Sequence, residues 1–155
     1  MSARRSGGIF LYRLRDGVPE VLLGHPGGPL FARKDETVWS ALKGEIEPGE
    51  DPFEVARREF EEETGHPAPD GSPIDLGEIR QKGGKVVTAW ALEGDLDPAL
   101  ARSNTFEMEW PPRSGRSAEF PEIDRVEWFD LDTARRKVNP AQVALLDRLA
   151  EALDR

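Results

Sequence analysis

Residues 51–65 have the pattern of a capped amphipathic helix, and this segment most limits the folds open to the chain. An aspartate at the N-cap position is followed by proline at the first helical position, and a glycine ends the pattern. Phe53, Ala56 and Phe60 recur at spacings of three and four residues, which gives the helix an apolar stripe. Such a stripe must be covered, so we expect the helix to pack on a core.

Strand-like runs lie on both sides of this helix. The two runs at 7–14 and 21–23 flank an Asp16-Gly17 turn signal, which predicts a hairpin. The other strand-like runs are 38–42, 74–79, 85–92, 104–110 and 126–129. Helical patterns follow at 131–137 and from Asn139-Pro140 onward. Strands that alternate with helices and no long linker predict one mixed α/β domain over residues 1–155.

Composition excludes several kinds of chemistry. The 155 residues include no cysteine, which rules out disulfides, zinc-thiolate sites, iron–sulfur clusters and thiol nucleophiles. The two histidines, His25 and His66, lie far apart in the sequence and cannot build a multi-histidine metal site alone. We therefore expect any metal ion to be bound by oxygen ligands.

The chain lacks the sequence signals of a membrane or secreted protein. No run approaches the roughly 20 apolar residues that a membrane-spanning helix needs. Two N-terminal arginines precede only a short apolar stretch at 9–12, which argues against a signal peptide. The net charge of −9 argues against nucleic-acid or anionic-membrane partners. We expect a cytoplasmic protein.

Much of the negative charge lies in residues 45–63, where nine acidic residues stand against two arginines. Glu59, Glu62 and Glu63 project from nearly the same side of the predicted helix. Two like charges about 4 Å apart repel by roughly 4 kcal/mol near a protein surface, and a divalent cation reverses that interaction. The segment is either a solvated helix face or a cation site, and carboxylate oxygens suit Mg²⁺ or Mn²⁺.

The wider pattern favours the cation site. Gly44, Glu50 and Gly65 frame the run Arg58-Glu59-Phe60-x-Glu62-Glu63, which fits G-x5-E-x7-R-E-U-x-E-E-x-G, with U a bulky apolar residue. Residues 44–65 thus resemble the signature of the Nudix hydrolases, although His66 replaces the apolar residue that usually follows the last glycine. The order of the surrounding elements is similar to the Nudix fold, an α/β/α sandwich around a mixed sheet.

This resemblance implies a Mg²⁺-dependent hydrolase of a nucleoside diphosphate linked to another group. On that analogy Glu59, Glu62 and Glu63 ligate Mg²⁺, for which Mn²⁺ can substitute, and the Gly44 carbonyl assists. The resemblance also implies that Arg58 and Glu50 orient the site as an ion pair. Glu63 or Glu62 is the nearest candidate for the general base. In some members of the family the base lies on a later loop, where Glu119 and Glu122 are the candidates here.

Substrate recognition must involve residues outside the signature. Basic residues in or beside predicted loops could hold outer phosphates, and they are Arg33, Lys34, Lys43 and Lys85. Trp39 is a candidate for stacking on a nucleobase, with burial in the core as the alternative.

The substrate class and the functional class have ranked alternatives. The run from Trp39 to Lys43-Gly44-Glu45 resembles that of Nudix enzymes acting on dinucleoside polyphosphates, with Leu42 in place of a proline. We rank dinucleoside polyphosphates and nucleoside triphosphates first and inositol pyrophosphates below them. The other hypotheses are a non-catalytic nucleotide-sensing module and an acidic helix that recruits a basic partner. Because many relatives dimerise, a homodimer is also considered.

Overall fold

A six-stranded mixed sheet forms the centre of the molecule in the computed structural model, which describes residues 4–154. The helices are α1 (Pro52–Thr64), α2 (Leu131–Lys137) and α3 (Val143–Leu153). The strands are β1 (Arg5–Arg15), β2 (Val18–Pro26), β3 (Leu42–Glu45), β4 (Ile74–Arg80), β5 (Val86–Glu93), β6 (Thr105–Glu109), β7 (Ser117–Pro121) and β8 (Ile123–Asp130). Short 3-10 turns occupy Pro98–Leu100 and Pro140–Gln142.

The sheet order is β4-β5-β1-β2-β8, with β3 also paired to β1. Only β1 and β5 run parallel; the other pairings within the described sheet are antiparallel. The predicted β1–β2 hairpin is confirmed, and its turn residues Asp16 and Gly17 have φ angles of 52° and 80°. Positive φ at both positions matches the turn type that suits a right-handed strand twist.

Both faces of the sheet are covered, as the predicted sandwich requires. Consecutive residues of the central strand β1, such as Ile9 and Phe10, are fully buried, and they point to opposite faces. The Ile9 face packs with Ala56 and Phe60 of α1, while the Phe10 face packs with α3 residues that include Leu145. The predicted α+β fold with a mixed central sheet is therefore confirmed.

One side of β1 is shared between two strands, and this arrangement creates space for a site. Positions 11–15 of β1 pair with β2, whereas positions 6–9 pair with β3. The pairing of β2 with β1 ends at Leu22, and Gly24 of β2 then pairs with Ser40. The predicted strand at 38–42 is thus displaced: the regular strand is Leu42–Glu45, because Trp39 and Ser40 make single bridges to other elements.

The C-terminal half of the chain differs from the prediction in two places. The strand expected at 104–110 is confirmed as β6, but β7, which was not predicted, pairs with it in a separate two-stranded sheet. The final helix begins later than expected, because Asn139 caps the 3-10 turn and α3 starts at Val143. Within residues 4–154 no helix is both long and apolar enough to cross a bilayer.

Candidate active site

Helix α1 has the ends that its sequence predicts. The Asp51 carboxylate accepts a hydrogen bond from the Glu54 backbone nitrogen at 3.0 Å, and Gly65 ends the helix with a φ of 77°. Phe60 is buried against the sheet. Glu59 and Glu63, which lie beside Phe60 on the helix surface, therefore face β3. They are two of the three predicted metal ligands.

A cavity of about 540 Å³ opens between α1, β3 and the segments that follow β4 and β7. Its lining includes the acidic side chains of Glu59, Glu63 and Glu122 and the basic side chains of Lys43 and Lys85. The remaining lining residues are Gly24, Pro26, Phe31, Thr37, Val38, Ser40, Ala41, Gly44, Glu45, Gln81, Asn104, Ile123, Asn139 and Gln142. Acidic and basic groups thus line one cavity.

Gly44 and Glu59 are in direct contact. A Cβ atom built on Gly44 would lie only 2.1 Å from the Glu59 carboxyl carbon. No side chain can occupy that position without displacing the carboxylate, so the glycine forms a cradle that sets where Glu59 points. Burial first, and repulsion from Glu62 second, raise the pKa of Glu59.

Glu63 is only 8% exposed, and its Oε1 accepts a hydrogen bond from the Lys43 backbone nitrogen at 3.1 Å. Burial raises the pKa of this carboxyl to about 8, although the positive charge of Lys43 acts in the opposite direction. Repulsion from Glu59 and Glu122 adds to the increase. Carboxyl groups held at such an elevated pKa are common at functional sites.

Lys43 and Lys85 form a pair of neighbouring cations in the cavity. Burial first, and the adjacent Lys85 ammonium second, lower the pKa of Lys43 to about 8, while Glu63 opposes the shift. Two ammonium groups repel each other unless an anion lies between or beside them. The pair is therefore suited to the oxygens of a phosphate group.

An ion pair ties α1 to the loop that precedes it. Arg58 donates to Glu50 with 2.6 Å between Nη1 and Oε2, and the other Glu50 oxygen accepts from the Glu47 backbone nitrogen at 2.9 Å. The Arg58 hydrogen bond is the main reason that the pKa of Glu50 lies below its ordinary value. The predicted pair between Arg58 and Glu50 is present in the structure.

The predicted metal ligands are not gathered as a closed set. Within residues 4–154, no group of three histidine, aspartate or glutamate side chains forms an arrangement that could hold a metal ion. Glu62 is exposed and does not line the cavity, whereas Glu59 and Glu63 do. The proximity of Glu62 to Glu59 is nevertheless evident from its effect on the Glu59 carboxyl.

Among the residues predicted to contact substrate, the structure brings Lys43 and Lys85 together in the cavity. Arg33 and Lys34 are exposed on the loop after β2 and do not line the cavity. The Lys34 ammonium lies 5.5 Å from the ring centre of Phe31, which does line the cavity. Trp39 must be corrected from a stacking candidate to a core residue. Its side chain is 0% exposed, and its indole nitrogen donates to the Asp35 carbonyl at 2.9 Å.

The two alternative candidates for general base lie in different surroundings. Glu122 lines the cavity, and its charge affects both Glu63 and Lys43. Glu119 lies in β7 opposite Glu107, is exposed, and does not line the cavity.

Sequence reasoning missed the amide side chains that line the cavity. These residues are Gln81, Asn104, Asn139 and Gln142. Asn139 was recognised only as a helix cap, and Gln142 carried no signal except that it is a polar residue in an apolar pattern. Its complete burial could be found only from the fold, because its partners are distant in sequence.

Comparison with known proteins gives both a sequence relative and several structural relatives. A curated octanoyltransferase from Myxococcus xanthus is 36% identical over 100 residues, which cover 64% of this chain and 25% of that protein. The alignment thus spans about a quarter of that relative's length.

The structural relatives cover nearly the whole chain. An Ap4A hydrolase from C. elegans in a binary complex has a TM-score of 0.67 and 22% identity, over 98% of both chains. The NUDIX domain of Shewanella oneidensis NrtR complexed with ADP ribose has a TM-score of 0.67 and 15% identity, over 99% of this chain and 90% of that one. A mutT/nudix family protein from Listeria innocua has a TM-score of 0.64 and 15% identity, over 99% of this chain and 96% of that one. At these identities the likeness establishes the fold.

Family membership follows from the sequence as a whole. The family model described as NUDIX domain matches residues 3–149, which includes the signature at 44–65 and every element from β1 to most of α3. This match also supports the prediction of a hydrolase acting on acid anhydrides. The chain belongs to the Nudix family.

Proposed function

We propose that this chain is a metal-dependent pyrophosphohydrolase that cleaves a phosphoanhydride bond in a nucleoside triphosphate or a dinucleoside polyphosphate. The observation that carries the proposal is the cavity in which the α1 carboxylates face a lysine pair. A carboxylate face alone repels a polyphosphate, and a lysine pair alone does not activate water. With both groups in one cavity, the lysines can bind the polyphosphate and the carboxylates can hold a metal ion that activates water.

The carboxylates fit a hard divalent cation such as Mg²⁺ or Mn²⁺. Glu59 and Glu63 supply oxygen donors at the cavity wall, Glu62 is next to Glu59, and the Gly44 cradle fixes one of the carboxylates. A bound cation would neutralise these charges and lower the pKa of a coordinated water. We assign Glu59, Glu62 and Glu63 as the metal-binding side chains, with the Gly44 carbonyl in support.

The remaining residues of the site have separate roles in this proposal. Lys43 and Lys85 bind the phosphate oxygens and offset their charge. Glu63 is the first candidate for the base that takes a proton from the attacking water, since it lines the cavity beside Glu59. Glu122 is the second candidate, and the Arg58–Glu50 pair holds the loop in place.

Two names among the structural relatives support the substrate class. One relative is an Ap4A hydrolase, and another was solved with ADP ribose. Both compounds carry a phosphoanhydride-linked phosphate chain on a nucleoside, a feature that they share with the substrates that we propose for this chain. The quarter-length match to an octanoyltransferase gives no residue of the cavity a role in acyl transfer.

The experiment measures product formation by anion-exchange chromatography over a panel of substrates in Mg²⁺, because cleavage of a diadenosine polyphosphate yields two nucleotides and no free phosphate. The panel contains nucleoside triphosphates, diadenosine polyphosphates, nucleotide sugars and inositol pyrophosphates. We expect turnover of the first two classes by the native sequence and a loss of about 100-fold or more in Glu63→Gln. Glu61→Gln, with the same change of charge on the exposed side of α1, should retain full activity.

Three outcomes would each contradict a part of the proposal. Equal activity in the Glu63→Gln and Glu61→Gln variants would remove Glu63 from the site. Binding of a nucleotide without turnover of any member of the panel would instead support the nucleotide-sensing alternative. Cleavage confined to inositol pyrophosphates would retain the chemistry and change the substrate class.

A further inference from the structure

A chain of hydrogen bonds at the floor of the cavity fixes the orientation of a buried glutamine. Gln142 is 0% exposed, and its Oε1 accepts from the Ala41 backbone nitrogen at 3.0 Å. Its Nε2 donates to the Ser40 hydroxyl and to Oε1 of Gln81, both at 3.0 Å. The Ser40 hydroxyl in turn donates to the Ala41 carbonyl at 2.8 Å.

Only one assignment of donors and acceptors satisfies this chain. A backbone N–H is always a donor, so the Gln142 atom that faces Ala41 must be the amide oxygen. The other Gln142 atom is then the nitrogen, and both of its hydrogens are used by Ser40 and Gln81. The Gln81 atom that meets Gln142 must therefore be an oxygen.

The amide nitrogen of Gln81 is consequently left for the cavity. Gln81 lines the cavity, and within residues 4–154 its Nε2 has no hydrogen-bond partner. Asn139 repeats the arrangement: its Oδ1 accepts from the Ala141 backbone nitrogen at 3.0 Å, and Asn139 also lines the cavity. Both amides thus offer N–H groups, with their oxygens already engaged.

Gln81 is also connected to the lysine pair. Its backbone nitrogen donates to the Lys85 carbonyl at 2.7 Å, so the two residues close one tight turn between β4 and β5. The ammonium groups of Lys85 and Lys43 add only donors. The cavity therefore presents donors from Gln81, Asn139 and the lysines, besides the acceptors of Glu59, Glu63 and Glu122.

We propose that Gln81 and Asn139, with Gln81 held in orientation by Gln142, form a donor subsite that binds hydrogen-bond acceptors on the substrate beyond the cleaved bond. The proposal rests on the proposed function for its substrate. The acceptors are oxygens of one of two sources, a carbonyl-bearing nucleobase or an additional phosphate. Gln81 and Asn139 are binding residues here, and Gln142 is a positioning residue.

The test compares the affinities of Gln81 variants for defined probes. Gln81→Glu retains an oxygen for Gln142 and replaces the free N–H groups with an acceptor, while Gln81→Met removes both the donor and the oxygen that Gln142 uses, without adding charge. Lys82→Gln is the matched control, since this exposed neighbour does not line the cavity and its substitution also lowers the net charge by one. Melting curves check that each variant is folded.

The probes are inorganic triphosphate, GTP, UTP and ATP, and their dissociation constants are measured by calorimetry in Mg²⁺. A Glu63→Gln background allows binding to be measured without turnover. We expect Gln81→Met to weaken binding by about ten-fold and Gln81→Glu by more, with Lys82→Gln within about two-fold of the parent. Loss with every probe assigns the subsite to phosphate, and loss confined to GTP and UTP assigns it to base carbonyls.

The outcomes separate this inference from the proposed function. Unchanged affinity for all four probes in both Gln81 variants would overturn the subsite, even if the native protein hydrolyses them. Absence of binding of all four probes to the parent protein would overturn it as well. Absence of hydrolysis by the native protein, together with weaker binding in the Gln81 variants, would overturn the proposed function alone.

Discussion

Gly44 is the residue where a single added carbon should do the most harm to the site. Because a Cβ there would lie 2.1 Å from the Glu59 carboxyl carbon, Gly44→Ala must displace a proposed metal ligand. We expect metal-dependent turnover to fall by about ten-fold or more, since small errors in ligand position are costly. Steady-state rates at saturating Mg²⁺, beside a melting curve, measure the effect.

A double variant tests whether this loss acts through Glu59. Glu59→Ala removes both the Cδ and the Cγ atoms that a Cβ on Gly44 would meet at 2.1 and 2.4 Å, so the losses from Gly44→Ala and Glu59→Ala should not add in the combined variant. Additive losses would mean that Gly44 supports activity by a route other than the Glu59 carboxylate.

Glu63 should make the stability of the metal-free protein fall as pH rises. Its pKa is about 8 in the folded chain against an ordinary value of 4.5, so the folded state retains a proton that the unfolded chain releases. The stabilising contribution is complete below pH 4.5 and is lost as pH rises through 8. Lys43, whose pKa is lowered from 10.5 to about 8, makes the stability rise with pH, but only between about pH 8 and pH 10.5.

The measurement is the melting temperature of the native sequence and of Glu63→Gln, in chelator, between pH 5 and pH 8. The variant should gain stability relative to the native sequence as pH increases, because it lacks the carboxyl whose ionisation disfavours the folded state. Parallel melting profiles would show that Glu63 ionises normally in the metal-free protein.

At the scale of elements, the Arg58–Glu50 pair connects α1 to the loop after β3. The pair is partly exposed, with 46% and 28% of the two side chains accessible, so its contribution to global stability should be small. Its effect on the position of the loop should be larger. Arg58→Ala is therefore expected to lower the turnover rate by about ten-fold while the melting temperature changes little.

Arg57→Ala provides the control for this element. Arg57 is the neighbouring residue on α1, but it donates to the carbonyls of Ala68 and Pro69, outside the cavity. The two variants remove the same charge from the same helix. Equal activities of Arg57→Ala and Arg58→Ala would assign Arg58 to the protein surface and not to the site.

At the scale of the whole molecule, local signals predicted some parts of the structure well. The bounds of α1 follow from Asp51 and Gly65, which act within one turn of the helix, and the β1–β2 turn follows from two adjacent residues. The Arg58–Glu50 pair lies within one loop–helix unit. These features depend on contacts close in sequence, so a sequence pattern can represent them.

The parts that could not be predicted depend on contacts between distant segments. Trp39 is buried because β8 and α2 cover it, with Phe129 packed against its ring. Gln142 reaches Ala41 and Gln81 only when the 3-10 turn before α3 meets the sheet. The amide side chains of the cavity were therefore not predicted, whereas Lys43 and Lys85 were candidates because they lie in or beside predicted loops, and the carboxylates of α1 were expected from the Nudix signature.

The most direct test of the central claim is the dependence of hydrolysis on a divalent cation. Turnover of nucleoside triphosphates and diadenosine polyphosphates is measured in chelator, and then with Mg²⁺ or Mn²⁺ restored in excess. Because the α1 carboxylates would otherwise repel the substrate, we predict no turnover in chelator and full recovery with either metal. Hydrolysis that continues at an undiminished rate in chelator would contradict the account.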